Sequence, residues 1–296
     1  MDIHIYLQER KKRVDAALAR MLPREMDYPP SLCKAIRYSV LEGGKRIRPI
    51  LAMAAFDASG GRGDSILPFA CALEFIHAYS LVHDDLPAMD NDDLRRGKPT
   101  VHRVFGEAVA ILVGDALLTE AFRTMSQGAL DHGVDAEVAI GIINEVSLGA
   151  GFSGLVGGQV VDIESEGRDV DLPTLEYIHS HKTGALIVTS LRTGARLAGA
   201  APEELRAITL YGEKLGLAFQ IIDDVLNVVG DSERLGKKVG TDAARKKATY
   251  PGLLGTEESR RLANEIIGEG IAHLALFQDR AEPLKEIARY LASRIS

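Results

Sequence analysis

The sequence predicts an all-α protein, and three observations support that prediction. Apolar residues recur at spacings of three and four along almost the whole chain, and no convincing period-two alternation indicates a strand. Aromatic residues make up only 5% of the chain and Trp is absent, whereas strand cores depend on β-branched and aromatic side chains. No Pro- or Ser-rich linker or low-complexity tract divides the 296 residues. We therefore expect residues 1–296 to form one large helical domain.

The apolar spacing also gives the order of the helices along the chain. It predicts helices over residues 3–21, 31–42, 47–59, 66–85, 107–131, 135–150, 174–198, 203–230, 256–278 and 283–294. Pro202, followed by two glutamates, and Pro283 lie where a helix begins and a missing N–H has no cost. Glycine-containing segments at 60–63 and 166–169 predict loops.

Charge and cysteine content exclude several classes of function. The formal net charge is −7, and no long run of Lys and Arg supplies the basic face that nucleic-acid binding requires. The two cysteines, Cys33 and Cys71, lie in apolar helical stretches without the spacing of metal ligands. They are typical of core thiols in a reducing compartment. We expect no nucleic-acid partner, no disulfide framework and no zinc site.

The chain shows no targeting or membrane signal at the level of the sequence. Residues 1–13 are rich in charged side chains and contain no apolar core, so they do not match a secretory signal. No uninterrupted apolar run is expected to reach membrane-spanning length, because apolar segments contain Glu107, Asp115 and Glu120. We expect a cytoplasmic protein without stable membrane insertion.

The most informative segment is DDLPAMDNDDLRRGK, residues 84–98. Pro87 disfavours helix at the preceding residue, so the helix from 66 should end near Asp85. Asp84 and Asp85 then lie at a helix C-terminus, where cations are preferred, and Asp90 follows. Two carboxylates about 4 Å apart repel by roughly 4 kcal/mol at an effective dielectric near 20. Mg²⁺ takes oxygen ligands and shares its shell with phosphates, so the cluster predicts a metal site, with a solvated acidic loop as the alternative.

A second aspartate pair, Asp223 and Asp224, ends the motif FQIIDD inside a run that is apolar on both flanks. The two aspartate segments are otherwise dissimilar, so they do not indicate a repeat. For one pair alone a structural role stays open. Two such pairs favour a metal, and we interpret them as opposite sides of one site.

Basic residues accompany both aspartate clusters. They are Arg95 and Arg96 after the first pair, the cations of GGKRIRP (43–49), His181-Lys182, and Lys237-Lys238 and Lys246-Lys247 after the second pair. Each of these groups alone is typical of a solvated surface. In an acidic protein, carboxylate pairs beside arginines indicate a diphosphate held through metal bridges on one side and by direct Arg and Lys bonds on the other.

The motifs together resemble the trans-isoprenyl diphosphate synthases over essentially the whole chain, most closely the bacterial farnesyl diphosphate synthases. The matching motifs are GGKRIRP (43–49), DDLPAMDNDDLRRGKPT (84–100), GGQ (157–159), HKTG (181–184), FQIIDD (219–224) and KATYP (247–251). The resemblance implies a bundle of about ten or more helices around a central substrate cavity, in a homodimer. It also implies Mg²⁺-dependent head-to-tail transfer of a prenyl group from dimethylallyl or geranyl diphosphate to isopentenyl diphosphate.

The resemblance assigns roles residue by residue. The implied isopentenyl diphosphate contacts are Lys45, Arg48, His77 and Arg96. The implied ligands of three Mg²⁺ ions are Asp84, Asp90 and Asp223, supported by Asp85 and Asp224. The implied allylic diphosphate contacts are Arg95, Lys182, Thr183, Gln220, Lys247 and one of Lys237 or Lys238. The implied mechanism is ionisation of the allylic diphosphate, condensation and proton loss to the released diphosphate.

Product length should depend on how deep the growing tail runs along the helix that ends at Asp84. At about 1.5 Å per residue, Tyr79 lies about 7.5 Å and Ser80 about 6 Å below Asp84. An aromatic ring there resembles the enzymes that make farnesyl diphosphate (C15), whereas smaller residues accompany C20 products. We predict mainly C15, with a C20 or mixed C15/C20 product as the alternative and Tyr79 as ordinary core otherwise.

One position departs from the family pattern, and three alternative functions do not match the motifs of this sequence. Asn227 replaces the usual third aspartate of the second motif and brings no charge, so weaker support for the third metal is expected. A terpene cyclase needs no second diphosphate site, a non-catalytic subunit would lose aspartates, and a calcium-binding module needs alternating ligands around a central glycine. The tail is expected to approach the site through Arg294. Residues 154–162 are expected to line the cavity, with no role assigned to Gln159 or Asp162.

Overall fold

The computed structural model describes residues 1–229 and 248–295, and almost all of its regular structure is helical. Its α-helices are α1 Ile3–Met21, α2 Pro30–Leu41, α3 Ile47–Ala58, α4 Ile66–Asp84, α5 Val101–Phe105, α6 Glu107–Asp131, α7 Ala136–Ala150, α8 Leu155–Ser165, α9 Leu172–Ile178, α10 Ala185–Leu197, α11 Pro202–Val229, α12 Tyr250–Leu254, α13 Thr256–His273 and α14 Glu282–Ala292. A π-helical segment, His179–Gly184, joins α9 to α10, and a 3₁₀ segment, Ala275–Ala281, precedes α14. Two short antiparallel strands, β1 Leu94–Arg95 and β2 Lys98–Pro99, form a hairpin. The predicted all-α class is confirmed.

Most predicted helices are present with ends within one or two residues, and the differences have local causes. The predicted helix 174–198 is three consecutive segments, because the backbone widens into the π-helical segment at 179–184. The predicted helix 256–278 ends at His273, and Gln278, with φ at 53°, interrupts the 3₁₀ segment that follows. Three short helices, α5, α8 and α12, were missed. Each is too short, or too rich in glycine, to show a clear period.

Helix α4 is the innermost helix of the described fold. Its residues are apolar on every side, and large side chains such as Phe69, Phe75 and Ile76 are fully buried. It packs against α1, α2, α3, α6 and α10. A helix that is apolar all round is stable only inside a large fold, where other helices cover every face. This placement carries the C-terminal residues of α4, including Asp84, into the interior.

Helix α11 lies in a second part of the core. One core cluster forms around α4 with α1, α2, α6 and α7, and the other forms around α11 with α12, α13 and α14. Helix α3 contributes to both, with Met53 in the first cluster and Leu51 in the second. Helix α10 also contacts both α4 and α11. The helices that carry the paired aspartates, at the end of α4 and inside α11, are therefore held by shared neighbours.

Among residues 1–229 and 248–295, two helical stretches are long and apolar enough to span a membrane by length and composition alone. Ile66–Asp84 is interrupted by Glu74, which agrees with the expectation that no uninterrupted apolar run reaches that length, and 83% of its apolar window is buried inside the fold. Ala136–Ser165 is 33% buried and consists of α7 and α8 separated by a turn at 151–154. A core helix of a folded domain passes the same test, so these stretches are weak evidence for a membrane span.

Candidate active site

A cavity of about 1110 Å³ lies between α4 and α11 and collects most of the predicted site residues. The predicted residues that line it are Lys45, Arg48, His77, Ser80, Asp84, Arg95, Arg96, Lys182, Thr183, Gln220 and Asp223. Predicted residues outside its lining are Tyr79, Asp85, Asp90 and Asp224. Lys237, Lys238 and Lys247 lie outside the described residues. The cavity thus brings together groups that are far apart in the sequence.

The first aspartate cluster turns sharply where α4 ends. The amide N–H of Asp90 donates to the Asp84 carbonyl at 2.8 Å, and that of Asn91 donates to the Leu86 carbonyl at 3.0 Å. This turn returns Asp90 toward Asp84. Burial, with Asp90 and Asp85 adding repulsion, raises the pKa of Asp84 to about 6, although Lys182 and Arg95 act in the opposite direction. A carboxylate in this environment is stabilised by a bound cation.

Asp85 faces away from the cavity and holds Arg95. Arg95 Nε donates to Asp85 Oδ1 at 2.8 Å and to Oδ2 at 2.9 Å, and a further nitrogen lies 2.6 Å from Oδ1. Burial raises the pKa of Asp85, and the hydrogen bond from Arg95 opposes that rise. The hairpin of β1 and β2 carries Arg95 to this position. Asp85 therefore orients the guanidinium group of Arg95, which lines the cavity.

The second aspartate pair is divided in the same manner. Asp223 lines the cavity, and Arg294 Nη1 lies 3.9 Å from its Oδ1. Asp224 is buried, and its Oδ2 lies 3.2 Å from His179 Nε2 and accepts from the Tyr250 amide N–H at 3.0 Å. The His179 and Tyr250 rings stack with centroids 5.6 Å apart. Asp224 therefore joins α11 to the π-helical segment and to α12.

Close glycine contacts position the π-helical segment that carries Lys182 and Thr183. Gly158 in α8 lies against the backbone of Lys182, and any Cβ there would overlap with it. Gly216 in α11 approaches Gly184 so closely that a Cβ would lie 2.8 Å from its Cα. These close contacts explain why the GGQ and HKTG motifs have glycine at positions 158 and 184. Lys182 Nζ donates to Asp162 Oδ2 at 2.6 Å.

The basic side of the cavity, defined by Lys45, Arg48, His77 and Arg96, forms around the loop at 42–46. Gly44 has φ at 115°, and a Cβ there would lie 2.8 Å from a guanidinium nitrogen of Arg96. Glycine therefore permits both the turn and the approach of Arg96. Burial, followed by the charges of Arg48 and Arg96, holds the pKa of His77 well below its usual value. The His77 imidazole is neutral at pH 7.

The two residues predicted to set product length occupy different environments. Ser80 lines the cavity, and its hydroxyl donates to the His77 carbonyl at 3.0 Å. Tyr79 is buried outside the cavity lining, with its ring edge-on to His83 at 5.9 Å. Burial and the nearby Asp84 raise the pKa of Tyr79 to about 12, so the phenol stays neutral. Ser80 has the direct contact with the cavity.

Sequence reasoning gave no role to several residues at the cavity, although it expected residues 154–162 to line it. Gln159 is buried there with a side-chain oxygen that accepts no hydrogen bond from the described residues. Asp162 holds Lys182, and Glu74, Arg260 and Tyr290 also contribute to the site. Glu74 interrupts an apolar helix, which is the same signal that identified Asp223. Arg260 and Tyr290 lie on amphipathic helices and offer no comparable signal.

The donor set fits a divalent cation that shares its ligands with a substrate. Within residues 1–229 and 248–295, no three His, Cys, Asp or Glu side chains lie close enough to form a metal site by themselves. Asp84 and Asp223, from opposite helices, nevertheless line one cavity, and burial raises the pKa of the first even though Lys182 and Arg95 oppose that rise. Mg²⁺ commonly takes one or two carboxylates and completes its shell with water and phosphate oxygens. The acidic side of the cavity, defined by Asp84 and Asp223, has this composition.

Known proteins resemble this chain over most of its length. The polyprenyl synthetase family matches residues 29–280. A farnesyl diphosphate synthase of Geobacillus stearothermophilus is 48% identical over 254 residues, 86% of this chain and 85% of that one. A geranylgeranyl diphosphate synthase of Cyanophora paradoxa is 47% identical over 290 residues, 98% and 95% of the two chains. The crystal structure of an FPP/GFPP synthase from Zymomonas mobilis has a TM-score of 0.87 at 37% identity, covering 98% of this chain and 99% of that one.

Proposed function

This chain belongs to the polyprenyl synthetase family and is a prenyltransferase, and we propose that it makes mainly farnesyl diphosphate from isopentenyl diphosphate and an allylic diphosphate. Isopentenyl and allylic diphosphates are the family's substrates. The observation that supports two diphosphate subsites here is that one cavity is lined both by the acidic side, Asp84 and Asp223, and by the basic side, Lys45, Arg48, His77 and Arg96. One side suits a metal-bridged diphosphate, and the other suits direct contacts with cations.

We propose that the allylic diphosphate binds at the acidic side with Mg²⁺, the family's metal, and that three ions are involved. Asp84, Asp90 and Asp223 would hold the metal, and Arg95, Lys182, Thr183 and Gln220 would contact the diphosphate. Bound magnesium would supply Lewis-acid assistance and neutralise charge on the departing diphosphate. Lys182 and Arg95 are already fixed by Asp162 and Asp85, which keeps their charge directed at this side of the cavity.

We propose that isopentenyl diphosphate binds at the basic side. Lys45, Arg48 and Arg96 offer cations to its diphosphate, and neutral His77 offers a ring N–H without an added charge. Ser80 and Leu81, between the two sides, leave an uncharged surface for the prenyl chains. No described side chain is required as a base, since the released diphosphate is the proposed acceptor of the proton.

The C15 product rests on Tyr79, and one observation favours a longer product. A buried ring one turn below Asp84 limits how far the tail extends along α4. However, it is the small Ser80, not Tyr79, that lines the cavity, and this favours C20 as the second candidate. Relatives named for C15 and for C20 products are almost equally similar to this chain.

We also propose that the protein is a homodimer that forms through α6, α7 and α8. Large apolar side chains are exposed there: Ile111, Leu112, Leu130, Ile140, Leu148, Phe152, Val156, Val160 and Ile163. Phe152 alone is 86% exposed. Exposed large apolar side chains in this number, on helices that contact one another, are typical of a protein interface. One chain has a mass of 32.0 kDa, and light scattering of the protein should give twice that mass. The double variant Ile140→Asp/Leu148→Asp should give the mass of one chain.

Two further expectations stay predictions, namely that the chain forms a single domain and that the protein is cytoplasmic.

Product analysis tests the proposed reaction directly. The purified protein is incubated with isopentenyl diphosphate and either dimethylallyl or geranyl diphosphate, with MgCl₂ or with EDTA, and products are separated by chromatography. We expect farnesyl diphosphate only with magnesium. Geranylgeranyl diphosphate as the main product would replace the C15 assignment by the second candidate. A hydrocarbon formed from an allylic diphosphate alone would indicate a cyclase, and no product would indicate a non-catalytic subunit.

A further inference from the structure

A buried ionic network lies beside the basic side of the cavity. Arg46 and Glu74 are each 3% exposed, and Arg46 Nη1 donates to Glu74 Oε1 at 2.8 Å. The same guanidinium donates through Nε to Asp15 Oδ1 at 2.8 Å and through Nη2 to the Val40 carbonyl at 2.7 Å. Arg46 therefore joins α1, α2 and α4 at the point where the loop at 42–46 enters α3. Only a planar fork of donors makes these three bonds together.

The network fixes the backbone from which two cations of the basic side extend. Arg46 has φ at 54°, a left-handed conformation that a residue with a side chain retains only where surrounding contacts hold it. Lys45 directly precedes Arg46, and Arg48 follows two residues later in the first turn of α3. The contacts of the Arg46 side chain thus determine where both neighbouring cations enter the cavity.

Glu74 also faces the cations of the cavity. It lines the cavity with Arg48 and Arg96, and its Oε2 and the Arg48 Nε are both buried without a hydrogen-bond partner among the described residues. Burial lowers the pKa of Arg48 to about 10, and the charge of Glu74 opposes that shift. A buried charge needs a counter-charge, and Glu74 supplies it to the neighbouring Arg48 and Arg96.

We propose that Glu74, acting through Arg46, is a positioning residue for the isopentenyl diphosphate subsite. It keeps the cations of the basic side in their binding arrangement before the diphosphate arrives. This role rests on the proposed function of Lys45, Arg48 and Arg96. A carboxylate beside an anion site also repels the anion, so mere repulsion predicts the opposite result, namely tighter binding when the charge is removed.

Steady-state kinetics distinguish positioning from repulsion by the sign of one effect. Glu74→Gln retains an oxygen that accepts from Arg46 but removes the charge. We expect its KM for isopentenyl diphosphate to rise about tenfold, because a charge-assisted bond becomes a neutral one. The KM for geranyl diphosphate should change less than about twofold, since the network does not contact the acidic side. Arg46→Lys keeps its charge but loses the fork, and it should raise the same KM.

Matched variants separate this inference from the function on which it rests. Glu145→Gln is the control, because Glu145 pairs with Arg192 and Arg196 away from the cavity, and its substrate KM values should not change. An unchanged KM for isopentenyl diphosphate in Arg48→Gln would overturn the subsite itself. A raised KM in Arg48→Gln with an unchanged or lowered KM in Glu74→Gln would overturn the positioning role alone. If circular dichroism shows that Glu74→Gln does not fold, Arg46→Lys tests the positioning role instead. A raised KM for isopentenyl diphosphate in Arg46→Lys would support that role, and an unchanged or lowered KM would overturn it.

Discussion

The two helices with paired aspartates, α4 and α11, divide each pair in the same way. Asp84 and Asp223 line the cavity, whereas Asp85 binds Arg95 and Asp224 binds His179 and the Tyr250 amide. Successive residues of a helix point about 100° apart, and in each pair only the first carboxylate lines the cavity. In each pair one carboxylate is available to a ligand and the other fixes neighbouring structure.

The helices differ in how the cavity-facing carboxylate is compensated. Asp84 ends a helix buried on every side, and burial raises its pKa to about 6. Asp223 lies on an amphipathic helix, its side chain is 37% exposed, and Arg294 lies 3.9 Å away. Water and a cation therefore already stabilise the charge of Asp223. We therefore expect the end of α4 to depend more strongly than Asp223 on the proposed magnesium.

The largest expected effect comes from the two carboxylates that face the cavity. Asp84→Ala and Asp223→Ala should each lower kcat by about a thousandfold, with the greater loss at Asp84, because each variant loses a carboxylate proposed to hold the magnesium that would neutralise the departing diphosphate. Turnover with geranyl and isopentenyl diphosphates measures this. The control is Asp131→Ala, an exposed aspartate at the end of α6, which should keep wild-type turnover. Near wild-type turnover in either cavity variant would mean that the metal assignment is wrong.

The buried partner in α11 should affect stability more than chemistry. Asp224→Ala leaves the Tyr250 N–H and the His179 ring without a partner, so the free energy of unfolding should fall by about 2 to 3 kcal/mol. Denaturant unfolding measures this loss. Asp224→Asn keeps an acceptor and should recover about half of it. If Asp224→Ala keeps its unfolding midpoint but loses as much turnover as Asp223→Ala, the division within the pair does not hold.

Tyr79, one turn below the end of α4, tests whether that helix also sets product length. Tyr79→Ala removes a buried ring and opens space along α4, so the product should shift from C15 toward C20. Chromatography of the products with geranyl diphosphate as the primer gives the ratio. Tyr79→Phe is the matched control, because it keeps the ring and removes only a hydroxyl. Only C15 from Tyr79→Ala would remove the role of the ring.

The smallest expected effect is at Asn227, one turn after Asp223 on α11. A third carboxylate would strengthen metal support, but Asn227 is 4% exposed and a new charge there is costly to bury. We expect Asn227→Asp to lower the magnesium concentration for half-maximal turnover by no more than about threefold. A magnesium titration of both proteins measures this. An identical titration curve would show that the departure from the family pattern has no consequence for the metal.

The sequence predicted the long helices well because their apolar period is strong. The ends of α1, α3 and α6 fall within about a residue of their predicted positions, because the apolar period that marks these helices is a local property of the sequence. The π-helical segment at 179–184 was not predicted, since Gly158 and Gly216, distant in the sequence, press against it. Its conformation depends on packing that no local pattern contains.

For the site, the sequence by itself determined which chemical groups are present and which motifs they form. Paired aspartates in apolar surroundings and glycine-flanked cations indicate a metal-assisted diphosphate site without any coordinates. Only the tertiary structure decided which carboxylate of each pair faces the cavity, and that Glu74 and Asp162 hold the cations. The reason is physical, because side-chain type and spacing are properties of the chain. Orientation, burial and counter-charge arise only when helices from distant segments meet.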